Sequence, residues 1–157
     1  MEIRKIVSGG QTGVDRAALD VAQELQLERG GWCPLGRLAE DGIIPDIYPL
    51  RETVTADYAE RTELNVRDSD GTLILTVGLP IGGTRYTIEC AEKWRKPCYA
   101  LDLTGDVDFA VVRSWLDDNR IAVLNVAGPR QSQSPEGYQL ALQFLRVCLA
   151  SCSARVS

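Results

Sequence analysis

A chain of 157 residues with 45% hydrophobic and 25% charged side chains has the make-up of one globular domain that buries its own core, which excludes disordered and fibrous classes. Its net charge of −5 opposes the positive field that nucleic acid or an anionic membrane surface requires, so any anionic ligand must be captured locally. The chain has no histidine. That removes imidazole as metal ligand and general base, and with it every serine–histidine or cysteine–histidine dyad.

In chain order, the apolar run 5–7 reads as a first strand. Val14, Ala17, Ala18, Val21, Ala22 and Leu25 fall at helical spacing and predict a helix over 14–27, ended by Gly30-Gly31. Residues 32–53 hold three prolines and two glycines, a density of breakers that predicts a long structured loop with at most a short strand. A polar helix follows over 57–68, then the clearest buried strand, 71–77, and a helix from Gly83-Thr84 to Trp94. Strand 98–103, helix 107–116, strand 121–126 and helix 135–149 complete the pattern. Alternating strands and helices predict an α/β fold: three layers, a mainly parallel sheet of five or more strands, and helices on both faces. We expect a single domain over 1–150 and a frayed tail over 151–157.

The N-terminus carries no export pattern, and no apolar run approaches the roughly 20 residues of a membrane span. The five cysteines, Cys33, Cys90, Cys98, Cys148 and Cys152, are irregularly spaced and include no Cys-x-x-Cys pair, so they read as reduced thiols. The expectation is a cytoplasmic protein with no metal site, no membrane partner and no nucleic-acid partner.

Right-handed crossovers bring the loops after parallel strands to one edge of the sheet, where ligands of such folds bind. Three of these loops look suited to an anion. The turn Ser8-Gly9-Gly10-Gln11-Thr12-Gly13 runs from strand to helix, and its glycines let backbone amides approach a ligand at the positive end of the helix dipole. It has neither dinucleotide-fingerprint nor Walker spacing, and a plain strand-to-helix turn with a polar cap remains open. Gly82-Gly83-Thr84-Arg85 is a second glycine-rich turn before a helix and adds a fixed charge. Gly128-Pro129-Arg130-Gln131-Ser132-Gln133-Ser134 is the third, with Arg130, Ser132 and Ser134 as contacts, though Ser134 reads equally well as a helix cap. Arg37, in the long loop, is placed to reach the same edge or to be a solvated surface residue. Arg61 and Asn65 on the polar helix read as surface residues. If the first turn grips a phosphate, replacing Gly10 by Val is expected to abolish binding and spare the fold.

Several segments together resemble the molybdenum cofactor carrier proteins, within the Rossmann-like superfamily that also holds the LOG phosphoribohydrolases and the DNA-processing proteins. They are Ser8-Gly9-Gly10-Gln11-Thr12-Gly13-Val14-Asp15-Arg16, Gly31-Trp32-Cys33-Pro34, Arg61-Thr62-Glu63-x-Asn65, Gly82-Gly83-Thr84 and Asn125-Val126-Ala127-Gly128-Pro129-Arg130. The resemblance implies a Rossmann-like fold and a cytoplasmic homo-oligomer, dimer or tetramer. Such a protein binds the molybdenum cofactor (molybdopterin), a pterin with a terminal phosphate, and delivers it to molybdoenzymes. The enzyme alternative is a LOG-like nucleoside-monophosphate phosphoribohydrolase. Gly82, Gly83 and Glu89 match its Gly-Gly-x-Gly-Thr-x-x-Glu motif, Arg85 and Tyr86 replace the inner Gly-Thr, and Arg85 and Glu89 become the catalytic pair. A third alternative, single-strand DNA binding, rests on the first turn alone and is disfavoured by the acidic balance.

Overall fold

The computed structural model describes residues 2–80 and 82–153. Its elements are β1 (Lys5–Val7), α1 (Val14–Glu24), β2 (Glu28–Gly30), β3 (Trp32–Cys33), β4 (Leu38–Ala39), β5 (Gly42–Ile43), β6 (Arg51–Glu52), α2 (Tyr58–Arg67), β7 (Gly71–Thr76), α3 (Gly83–Lys93), β8 (Cys98–Asp102), α4 (Phe109–Asp118), β9 (Val123–Ala127) and α5 (Gly137–Ser153). Helix α5 thus runs three residues into the segment expected to be a tail, and 154–157 lie outside the described residues. Among the described residues no helix is long and apolar enough to cross a membrane.

Five strands form one parallel sheet in the order β2-β1-β9-β7-β8. The last strand of the chain therefore lies at the centre, between β1 and β7. The pairings Ile6↔Leu124, Leu73↔Val126 and Leu75↔Leu101 set one apolar face, which packs with α1, α4 and α5 in the main core. The opposite face carries Thr72, Thr76 and Asn125, all buried, and near β8 it packs Cys98 against Val66 of α2 and Cys90 and Ala91 of α3. Helices therefore flank both faces of a parallel sheet, the three layers of a Rossmann-like fold. Polar residues inside a central sheet are costly unless bonded, and here Asn125 Nδ2 donates to Thr72 Oγ1 at 3.2 Å.

Strand β2 replaces the helix end expected at Gly30-Gly31. Helix α1 stops at Glu24, with Gln26 left-handed (φ 58). Gln26 N donates to Gln23 O, and Leu27 N to Ala22 O, which is the paired bonding of a Schellman end. Arg95 after α3 and Arg120 after α4 repeat it, with Lys96 N on Ala91 O and Ile121 N on Leu116 O. None of these three ends uses glycine, so composition did not mark them.

Between β2 and α2 the chain makes the excursion expected as a loop with at most a short strand, but it holds four strands of two residues each, too short for an apolar pattern to mark. It contains a parallel ribbon, β3 with β6, and an antiparallel hairpin, β4 with β5. A second small core holds it to α1: Leu19, Cys33, Ala39, Ile44, Tyr48 and Leu50. Arg37 is the internal tie, for its guanidinium donates to the carbonyls of Ile44, Pro45, Tyr48 and Leu50.

Candidate functional site

The loops after β1, β9 and β7 stand side by side at the C-terminal edge of the sheet. On the polar face, between this edge and helices α2 and α3, lies a cavity of about 120 Å³. From the candidates named by sequence it brings together Gly9 and Gln11 from the first turn, Gly83 and Thr84 from the second, and Arg130 and Ser134 from the third. Ser8, Gly10, Thr12, Gly13, Arg37, Gly82, Arg85 and Ser132 do not line it.

The backbone of the first turn is bonded largely within the protein. Ser8 Oγ donates to the Asp15 carbonyl at 2.9 Å and accepts from Gly10 N. Gln11 N donates to the Asp15 carboxylate at 3.2 Å. Val14 N, the first helical amide of α1, donates to Pro129 O. Where a side chain would go, each glycine is pressed against protein, and of the three Gly9 alone lines the cavity. A Cβ on Gly9 would lie 2.4 Å from Arg61 Cδ, on Gly10 2.4 Å from Leu50 Cδ1, and on Gly13 2.6 Å from Pro129 O. Gly10 faces the second core, so a valine there would test packing and not a phosphate contact. Arg37, bound to four carbonyls of the excursion, does not reach the edge.

Thr12 and Ser132 do hold an anion, but it is the carboxylate of Glu40. Ser132 donates to it through N at 3.0 Å and Oγ at 2.5 Å, and Thr12 Oγ1 donates to the same group. Burial is the largest single influence on the Glu40 carboxyl and pushes it up, but the bonds from Ser132 and Thr12, with Arg130 nearby, together outweigh it and hold the group below its usual range. The excursion is thereby latched across two of the three turns.

The start of α3 is different. Among the described residues its N-cap, Gly82, makes no side-chain capping bond, and nothing described lies within 4 Å of a Cβ on Gly82 or Gly83. Bare amides at a helix start attract anions. Arg130 lines the same cavity; its guanidinium lies 5.5 Å from the centroid of the Tyr58 ring and has no side-chain hydrogen bond or ion pair among the described residues. Arg61, which also lines the cavity, sits 5.1 Å from that ring. The Tyr58 ring attracts each of the two cations without consuming their hydrogen-bond donors.

Residues read from sequence as surface prove central. Arg61 is 12% exposed in its side chain and donates through Nη1 to the Gly9 carbonyl at 3.1 Å. Asn65 exchanges two bonds with the backbone of Trp32. Their separation of four residues puts both on one face of α2, a signal available in the sequence. Asp15 lies 3.9 Å from Arg61, and burial pushes its carboxyl up to about 6 against the Arg61 charge and the amide of Gln11. Glu89, needed by the phosphoribohydrolase alternative, is exposed and does not line the cavity. Desolvation pushes up the thiols of Cys33, Cys90 and half-buried Cys98, the last to about 11, which leaves no ready thiolate among these three.

Residues 6–149 match the model described as the circularly permutated YpsA SLOG family. Among solved structures, the crystal structure of the protein called "Putative molybdenum carrier protein" from Syntrophus aciditrophicus SB is similar. It is 48% identical with a TM-score of 0.90, over 94% of this chain and 96% of that one. Comparison with curated proteins returned no match. The match spans nearly every element of the sheet and all three turns, and a sheet whose last strand lies at its centre suits a permuted chain. The chain belongs to the circularly permutated YpsA SLOG family.

Proposed function

We propose that this protein holds a small phosphate-bearing molecule in the cleft between the sheet edge and helices α2 and α3, and that its cargo is the molybdenum cofactor or a close relative. The observation that carries the reading is the meeting of the uncapped start of α3 with Arg130, whose guanidinium donors are uncommitted, at one cavity. Gly83, Thr84 and Arg130 take the phosphate; amide donors and a guanidinium are the groups that bind oxyanions strongly. The first turn supports this seat from behind. The kinship with a protein named as a molybdenum carrier supports the choice of cargo. The same kinship, with the sequence resemblance, underlies our reading of a cytoplasmic homo-oligomer that hands its cargo to molybdoenzymes.

Expression in a cofactor-producing host tests the reading. The purified protein is expected to release an oxidised pterin, seen by fluorescence after acid treatment. A protein that carries none and shows no affinity for added cofactor overturns it.

A further inference from the structure

The end of the cleft beside α1 differs in chemistry from the end beside α3. Gln11 is 4% exposed, and its side-chain oxygen accepts from two backbone amides, Thr12 N at 3.1 Å and Glu40 N at 2.9 Å. Both partners are donors, so turning the side-chain amide round would set donor against donor; Nε2 is the atom left over. Nε2 is buried with no hydrogen-bond partner among the described residues, and Arg61 Nε shares that condition. Both residues line the same cavity. Unpaired buried donors are rare because they forfeit their bonds to water. These two sit on separate elements whose residues line one cavity, and each leaves a donor for a ligand's acceptor to satisfy.

Asp15 is the third group at this end. Its carboxylate accepts from Gln11 N and lies 3.9 Å from Arg61 Nη1, so the two charges offset each other. The result is two spare donors beside one acceptor with little net charge. A phosphate gains less here than at Arg130. An uncharged group that offers an acceptor next to a donor fits better.

We propose that this end of the cleft recognises a lactam edge, the ring carbonyl and neighbouring N–H shared by guanine and pterin, with the carbonyl on Gln11 Nε2 and Arg61 Nε and the N–H on Asp15. The proposal rests on the phosphate seat given above and adds the orientation of the ligand: ring towards α1, phosphate towards α3 and Arg130. A carbonyl oxygen has two lone pairs and takes both donors. An adenine edge presents an amino group and a bare ring nitrogen in the reverse order, setting donor against donor and acceptor against acceptor.

Calorimetric titration with guanosine monophosphate, a pterin phosphomonoester, adenosine monophosphate, ribose 5-phosphate and inorganic phosphate tests it. At least one of the two lactam compounds is expected to bind about tenfold more tightly than adenosine monophosphate and ribose 5-phosphate, and the tighter of the two tells which ring the cleft is shaped for. Gln11→Glu keeps an oxygen for the Thr12 and Glu40 amides but loses the donor, and is expected to bring that ratio to about one. Asp15→Asn is expected to lower the same ratio while melting no earlier than the wild type, so misfolding would not account for the loss. Equal affinity of the wild type for lactam and lactam-free phosphates overturns the proposal and leaves the phosphate seat standing, and so does a preference that survives Gln11→Glu. If the wild type binds none of the five, inorganic phosphate included, the phosphate seat falls and this inference with it.

Discussion

The turns before α1 and α3 look alike as sequence, two glycine-rich links from a strand to a helix, and the fold uses them in opposite ways. Before α1, glycine is needed because protein lies against the backbone: Arg61 on Gly9, Leu50 and Ile44 on Gly10, Pro129 on Gly13. Amides there are bonded to Ser8, Asp15 and Pro129. Before α3, among the described residues, nothing lies against Gly82 and Gly83 and the helix start has no side-chain cap. A glycine-rich turn therefore signals close approach of something to the backbone, and only the surrounding fold decides whether that is a ligand or another part of the chain.

The sharpest way to break the contrast is to put a side chain in each turn. Gly10 sits at φ +76, and a Cβ there meets Leu50 Cδ1 at 2.4 Å and Ile44 Cδ1 at 3.0 Å. Gly10→Val combines left-handed strain in a β-branched residue with overpacking, and is expected to cost about 4 kcal/mol in urea denaturation. Gly83→Ala meets nothing within 4 Å and is expected to leave stability unchanged or raise it by up to about 0.5 kcal/mol. Equal losses at the two positions would erase the distinction.

Next in size is Asp15, the charge enclosed in the packed turn. Burial raises its carboxyl from 3.8 to about 6, so the folded chain holds the proton more tightly than the unfolded one. Its contribution to stability is complete below about pH 4 and is lost as the pH rises through about 6. Asp15→Asn, a neutral isostere that still accepts from the Gln11 amide, is expected to stabilise the protein by on the order of 3 kcal/mol at pH 7 and by about 0.5 kcal/mol at pH 4. Urea midpoints at the two pH values check it.

The open turn is probed through its arginines. Arg130 lines the cleft; Arg85, one residue beyond Thr84, is exposed and outside it. Arg130→Gln is expected to weaken inorganic phosphate binding about tenfold in calorimetry with an unchanged urea midpoint. Arg85→Gln is expected to change it by about twofold or less, because its charge acts through solvent. The reverse ranking would move the anion to the outer side of α3.

The architecture was largely legible in the sequence, because periodicity and breakers mark β1, β7, β8, β9 and all five helices within a few residues. Strand β2 was not: Glu28 and Arg29 form no apolar run, since they lie on an edge strand, and Gly30-Gly31 imitated a helix stop. The central place of β9 depends on pairing across the chain, which no local pattern contains. Of the site, the three turns and Arg130 were legible as candidates. What occupies each donor was not, because Asp15, Glu40 and Pro129 reach the turns only through the fold. Arg61 and Asn65 were read as surface because α2 is polar, yet their spacing of four residues on one helix face was there to be read as a buried polar stripe.

The smallest expected effect concerns the latch between the excursion and the turns. Glu40 binds Thr12 and Ser132, but its side chain is exposed to water. Bonds of a solvated carboxylate replace bonds to water and add little to stability. The lowered Glu40 carboxyl makes its contribution one that is present at neutral pH and lost as the pH falls through the ordinary carboxylate range. Glu40→Gln is therefore expected to cost about 0.5 kcal/mol or less in global stability at pH 7. Its effect should be local: faster amide hydrogen exchange in the hairpin Leu38–Ala39 and Gly42–Ile43 and at Ser132, with the second core unchanged because Ile44, Tyr48 and Leu50 hold the rest of the excursion to α1. Were exchange to quicken throughout 32–53, the latch and not the apolar core would be what fastens the excursion. The packed turn would then owe its closure to a surface carboxylate that an incoming anion can displace.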